Sequence, residues 1–255
     1  MPATDRTPGR HADRIVLVTG AAKGIGAATA QAFAAEGATL ILADIDMPAL
    51  EETRAALPGA GHIAIRLDVT SASDWADAMA QVDAVFGRLD VLVNNAGWGK
   101  LLSIFDTSAE DWRKVISINL DSVFLGTMAA MPLLERSGDA AVVNVSSIRA
   151  RVAGFGSGPY SAAKAGVEMF SKVAAIECAQ TGRRVRVNSI HPGFVDTPLS
   201  KAQGEEARAA RAASVPQGRM AEPEEIAAGI LFLASREASY VNGTGLVVDG
   251  AFTAV

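Results

Sequence analysis

The chain has 255 residues, 49% of them hydrophobic, which suffices to bury one sizeable core and predicts a single domain. A net charge of −5 and a pI near 5.3 leave no basic surplus for nucleic acid or an anionic membrane surface, and fit a soluble cytoplasmic protein handling small molecules. The single cysteine, Cys178, excludes an intramolecular disulfide and a cysteine-rich metal site; His11, His62 and His191 are scattered, so no metal site is expected.

Residues 1–14, MPATDRTPGRHADR, are polar and proline-containing, lack the apolar run of a signal peptide, and read as a flexible lead-in. No later run of 18 uncharged apolar residues calls for a membrane span. Ile15–Thr19 is a short β-branched strand that leads into Gly20-Ala-Ala-Lys23-Gly24-Ile25-Gly26 and an Ala-rich helix over 27–36. Strand, glycine turn and helix N-terminus in that order make a phosphate cradle. Glycines let backbone approach the ligand, and free amides with the helix dipole favour negative charge. The spacing is G-x-x-x-G-x-G, not the standard dinucleotide fingerprint.

The next strand, 39–43, ends at Asp44 with Ile45 beside it, 24 residues past Gly20. A carboxylate there can accept hydrogen bonds from the adenosine ribose diol and repel a 2′-phosphate, which points to NAD. Lys23 pulls the other way, toward the phosphate of NADP. Asp44 weighs more, because its charge would have to be neutralised before a phosphate could sit beside it.

A third strand, 63–67, ends at Asp68-Val69; after a helix over 72–86, a fourth, 91–94, runs into Asn95-Ala96-Gly97. Strands alternating with helices predict βαβ units and a parallel sheet covered on both faces, with ligands bound beyond the strand carboxyl ends. A long helix over 108–135 contains Asn119, a polar residue in an apolar run that marks either a kink or a site. Strand 141–145 delivers Ser146 and Ser147 to a strand end, and a glycine-rich loop, 151–159, precedes Tyr160-Ser-Ala-Ala-Lys164. That spacing puts a phenol and an ammonium on one helix face. Lowering a Tyr pKa from about 10 to about 7 takes roughly 4 kcal/mol, which a cation about 4 Å away supplies at an effective dielectric of about 20. Strand 185–190 is closed by Pro192-Gly193. Residues 198–218, with a helical stretch over 203–213, read as a mobile lid or a static surface helix; a helix over 224–234 and a strand over 246–248 follow.

Taken in order, TGAAKGIG at 19–26, Asp44, DV at 68–69, NNAG at 94–97, Asn119, Ser147, YSAAK at 160–164 and HPGFVDTP at 191–198 make the chain resemble the short-chain dehydrogenase/reductase family from about Ile15 onward. The resemblance implies an α/β fold, a doubly wound sheet of seven parallel strands in a single Rossmann-like domain, and a nicotinamide cofactor. It implies Tyr160 as acid/base, Ser147 binding the substrate oxygen, and Lys164 holding the nicotinamide ribose while lowering the Tyr160 pKa. Asn119 would hold a relay water. Pro192, Gly193, Val195 and Thr197 would line the nicotinamide, with Thr197 bonding its carboxamide.

Trp98, Arg149, Phe155 and Phe194, with Ser147, each follow a motif at the crevice and form either substrate-pocket walls or packing contacts. Their apolar character points to a hydrophobic ketone or secondary alcohol. The stretches 172–179 and 185–199 look most like the secondary-alcohol and hydroxysteroid dehydrogenases of the family. The expected function is therefore NAD-dependent interconversion of a secondary alcohol and a ketone. Hydroxysteroid dehydrogenase or 3-oxoacyl reductase activity with NAD(P), and a non-catalytic NAD-binding regulator, stand as alternatives. Family members are commonly tetramers joined through the helices that correspond to 108–135 and 159–179, so a homotetramer is expected. Ala254-Val255 offers no side-chain oxygen for the terminal metal site of some relatives, and Asp249-Gly250-Ala251 departs from their usual second glycine.

Overall fold

Strands that are aliphatic at every position have to be buried on both faces, and a sheet of them needs helices on each side. The computed structural model describes residues 9–99, 102–202 and 204–254, and meets this demand with seven strands. They are β1 (Ile15–Thr19), β2 (Thr39–Asp44), β3 (Ile63–Arg66), β4 (Val91–Asn94), β5 (Ala140–Val145), β6 (Val185–Pro192) and β7 (Gly245–Val248). All pair in parallel, in the order β3-β2-β1-β4-β5-β6-β7. The order reverses between β1 and β4, so a crevice opens beyond the carboxyl ends of these two strands.

The helices are α1 (Gly24–Ala35), α2 (Met47–Ala55), α3 (Ala72–Phe86), α4 (Ala109–Ile116), α5 (Ser122–Ser137), α6 (Gly158–Gln180), α7 (Pro198–Lys201), α8 (Glu205–Ser214) and α9 (Pro223–Ala234). Alternate strand residues face opposite layers. Val16 and Val18 pack with Leu40, Leu42 and Val143 under Phe33 of α1 and Ile226 and Ile230 of α9. Leu17, Ile41 and Leu92 face the other way, onto Trp75 and Val82 of α3, Leu134 of α5 and Cys178 of α6. Cys178 is thus a small core residue, and burial pushes its thiol pKa up.

Several elements differ from the sequence expectation. Residues 1–8 of the expected lead-in lie outside the described residues. Residues 9–14 are fastened rather than flexible: His11 is buried edge-on against Phe33 at 4.7 Å, with Nε2 3.1 Å from the Leu231 carbonyl oxygen. Helix α1 begins at Gly24, inside the glycine turn, so Gly24 and Gly26 are its first and third residues. Helix α2 was not expected, although Asp46 caps it through the Ala49 amide and Pro48 stands in its first turn.

The expected helix over 108–135 is two α-helices joined by a π turn over Ser117–Asp121. The whole stretch 109–137 is long and apolar enough by composition to cross a membrane. Here Val123, Gly126, Ala130, Leu133 and Leu134 of α5 are buried within the protein, while Trp112, Phe124 and Met128 stay exposed.

Candidate active site

Two turns at the crevice, after β1 and after β4, are tied together by the Asn95 amide and the Thr19 hydroxyl. Asn95 Nδ2 donates to the carbonyls of Thr19 (2.9 Å) and Gly20 (3.2 Å), and the Thr19 hydroxyl oxygen accepts from the Asn95 and Ala96 amides, both at 3.0 Å. Gly20 takes a φ of +64°, and a Cβ there would lie 2.9 Å from Ala96 Cα; a Cβ on Gly26 would lie 2.0 Å from the Gly20 carbonyl oxygen. The turn therefore accepts only glycine at these two places.

Lys23 is the N-cap of α1 and gives it no side-chain cap, and the first turn of the helix carries no acidic residue. Amides left in this way at a helix start fit the pyrophosphate of a dinucleotide. Asp44 closes the far end, accepting from the Ala22 amide and the Asp46 amide, each at 3.1 Å. A carboxylate has about four acceptor directions, so two remain for a ribose diol. Lys23 points away from that role: its Nζ donates to Asp46 Oδ2 at 2.7 Å. Ile45 beside Asp44 is exposed. Asp68 spends Oδ1 on the amide and hydroxyl of Thr70, and the Val69 carbonyl accepts from Trp75 Nε1 at 3.0 Å.

A cavity of about 490 Å³ adjoins the crevice. It gathers Ile25, Asn95 and Gly97 from the first turns, Pro192, Gly193, Val195 and Thr197 from the end of β6, and Ser147, Tyr160 and Lys164. All five expected pocket residues, Trp98, Ser147, Arg149, Phe155 and Phe194, line it as well.

Tyr160 and Lys164 stand one turn apart on α6, with Lys164 Nζ 5.7 Å from the phenol ring centroid. Burial pushes the Tyr160 pKa up, while hydrogen bonding from the Ser147 hydroxyl and the Arg149 charge pull it down. Lys164 stands beside that phenol on the same helix face. The ammonium is buried, donates to the Val145 carbonyl at 2.8 Å, and has its own pKa brought down to about 8 by burial.

Asn119 is both the kink and a site neighbour. It lies fully buried in the π turn; Nδ2 donates to the Trp98 carbonyl at 2.6 Å and the Val115 carbonyl at 2.9 Å, and Oδ1 accepts from the Trp98 amide at 3.3 Å. A Cβ on Gly97 would lie 3.0 Å from Asn119 Oδ1 and 3.6 Å from Lys164 Nζ, so glycine there keeps the two groups within reach of one small polar molecule.

Sequence reasoning missed two supports. His191, fully buried on β6, donates from Nδ1 to the Ser147 carbonyl at 3.0 Å, which leaves Nε2 to accept from Ser189 Oγ at 3.0 Å. Burial pushes its pKa down and favours this neutral form. Arg211 of α8 also lines the cavity, from a stretch read in the sequence as a lid or a surface helix without this residue standing out.

Residues 20–253 match the family model described as enoyl-(acyl carrier protein) reductase. The chain is 45% identical to cis-4-hydroxycyclohexanecarboxylate dehydrogenase of Sinomonas cyclohexanicum, over 96% of this chain and 98% of that one. It is 41% identical to cyclopentanol dehydrogenase of Comamonas sp., over 96% and 99%. The ligand-free structure of aldohexose dehydrogenase from Thermoplasma acidophilum superposes with a TM-score of 0.88 at 30% identity, covering 98% of this chain and 97% of that one. The uncapped glycine turn, the parallel sheet around its switch point and these full-length likenesses agree: the chain belongs to the short-chain dehydrogenase/reductase family.

Proposed function

We propose that this oxidoreductase interconverts a ring-borne secondary alcohol and the matching ketone, with NAD as cofactor and Tyr160 as the proton-transferring group. The observation that carries the reading is the convergence of the Tyr160 phenol, the Ser147 hydroxyl and Lys164 on one cavity that opens onto the glycine turn. A nicotinamide held by Ile25, Gly97 and the Pro192–Thr197 segment would supply the hydride chemistry. Ser147 donates a hydrogen bond to the substrate oxygen, and His191 holds the Ser147 backbone in place. Tyr160 takes the hydroxyl proton in oxidation and returns it in reduction. Asn119 Oδ1 and Lys164 Nζ, both close to Gly97, would hold a water through which that proton passes onward. Two relatives named for cyclopentanol and hydroxycyclohexanecarboxylate support a cyclic substrate.

The preference for NAD rests on two carboxylates and one amine at the ribose end. Asp44 and Asp46 outnumber Lys23, and Lys23 is engaged by Asp46, so a 2′-phosphate meets net negative charge. Asp44→Ala is expected to lower the ratio of NAD to NADP specificity, each as kcat/KM, by tenfold or more. The ratio is the readout, because losing the acceptor of the Ala22 amide loosens the turn for both cofactors alike. An unchanged ratio removes Asp44 from cofactor choice.

A homotetramer is part of the same proposal. Trp112 of α4, Phe124 and Met128 of α5, and Met169, Val173 and Ile176 of α6 leave apolar surface exposed on the helices through which the family resemblance implies association. Sedimentation equilibrium is expected to give four times the chain mass, and a monomer at micromolar concentration contradicts it.

A further inference from the structure

The cavity beside Tyr160 holds cations without carboxylates: Arg149, Lys164 and Arg211 line it, and none of its described lining residues is Asp or Glu. Lys164 is committed to the Val145 carbonyl. The two guanidiniums come from different parts of the chain, Arg149 from the 3₁₀ turn after β5 and Arg211 from α8. Both stand over the ring of Phe194, with Cζ 5.7 Å and 5.6 Å from its centroid. Each side chain is only half-buried, and together they put two like charges around one apolar wall. Juxtaposed cations repel, and an anion between them removes that repulsion.

Both supports are built. Arg149 Nη1 donates to the Ala153 carbonyl at 2.8 Å, and its guanidinium lies on Gly154, where a Cβ would come within 2.5 Å of Cζ. One turn before Arg211, Arg208 binds Asp196 at 2.8 Å and so moors α8 to the segment that follows Phe194. The mooring holds Arg211 at the cavity while its helix stays on the surface.

We propose that the substrate carries a carboxylate on the ring that bears the reacting hydroxyl, held by Arg149 and Arg211 across Phe194. Guanidinium forks match a carboxylate in both charge and shape, and the Phe194 ring takes the apolar carbons between acid and alcohol. Because Arg211 belongs to α8, the acid group also draws α8 toward the substrate, which favours the lid over the static surface helix among the two readings of that helix. The inference rests on the reading of this cavity as the alcohol site.

The test is a calorimetric titration of the NAD-bound enzyme with cyclohexanecarboxylate and with its methyl ester, for the parent, Arg211→Gln and Arg211→Lys. The parent is expected to bind the acid at least tenfold more tightly than the ester. Arg211→Gln should erase most of that ratio and Arg211→Lys keep part of it. Equal affinities in the parent, or a ratio that Arg211→Gln leaves intact, overturn the proposal. The kcat/KM ratio for 4-hydroxycyclohexanecarboxylate over its methyl ester is read in parallel. Preferential binding of the acid with no turnover of either alcohol sinks the dehydrogenase reading and leaves the anion site standing. Turnover of both without discrimination does the reverse.

Discussion

The Tyr160→Phe enzyme is expected to bind the nicotinamide cofactor as the parent does and to turn over roughly 10³-fold more slowly, the middle of the range for loss of a general acid/base. The substitution removes one oxygen and its proton from a ring that is otherwise held by its surroundings. The Lys164 contact with Val145 does not depend on that oxygen. In the cofactor-free protein burial outweighs the Ser147 and Arg149 contributions, so Tyr160 stays protonated through neutral pH. Oxidation of an alcohol needs the phenolate, and positive charge beside the phenol, from Lys164 and from a bound oxidised nicotinamide, would bring its pKa down.

An ultraviolet pH titration isolates this step, since the chain has two tyrosines, Tyr160 and Tyr240. The difference between parent and variant is expected above the ordinary phenol range without cofactor and at lower pH with oxidised cofactor bound. By the sign of the shift, kcat for oxidation rises with pH through the Tyr160 pKa of the complex, and kcat for reduction falls. Near-native turnover of the variant would show that another group moves the proton.

Gly26→Ala is expected to weaken cofactor binding by tenfold or more and to lower the thermal midpoint. Alanine favours a helix interior over glycine by about 1 kcal/mol, so propensity alone predicts stabilisation. The clash decides the sign: the new Cβ would stand 2.0 Å from the Gly20 carbonyl oxygen and 2.6 Å from Asn95 Nδ2. Neither can swing aside, one being backbone and the other fixed by its bonds to Thr19 and Gly20. Overpacking of this kind costs about 1–3 kcal/mol, and relieving it moves α1 away from the turn that its free amides serve. Fluorescence titration with NADH measures the binding, and an affinity within twofold of the parent contradicts the account of the cradle.

What the sequence reveals follows the range of the forces involved. Aliphatic strands, the glycine turn and the one-turn spacing of Tyr160 and Lys164 are local patterns, and each is found where local rules place it. Helix α2 is legible too, in Asp46 as its N-cap and Pro48 in its first turn. The π turn at Asn119 is harder, since it depends on Trp98, 21 residues away, offering backbone groups to the amide.

His191 and Arg211 escape the sequence for the same reason. The bond from His191 to Ser147 crosses between neighbouring strands 44 residues apart, and Arg211 meets Arg149 only because Arg208 moors its helix to Asp196. The Tyr160–Lys164 pair shows the converse limit: spacing gives proximity, but the burial that makes Lys164 a weaker cation comes from the fold.

The most direct test of the central claim is the initial rate of NADH formation by the purified enzyme with cyclopentanol, cyclohexanol and 4-hydroxycyclohexanecarboxylate, run with NAD and with NADP. The account predicts turnover of ring alcohols that is faster with NAD than with NADP. Absence of turnover with any secondary alcohol or its ketone, in a protein that demonstrably binds NAD, would contradict it.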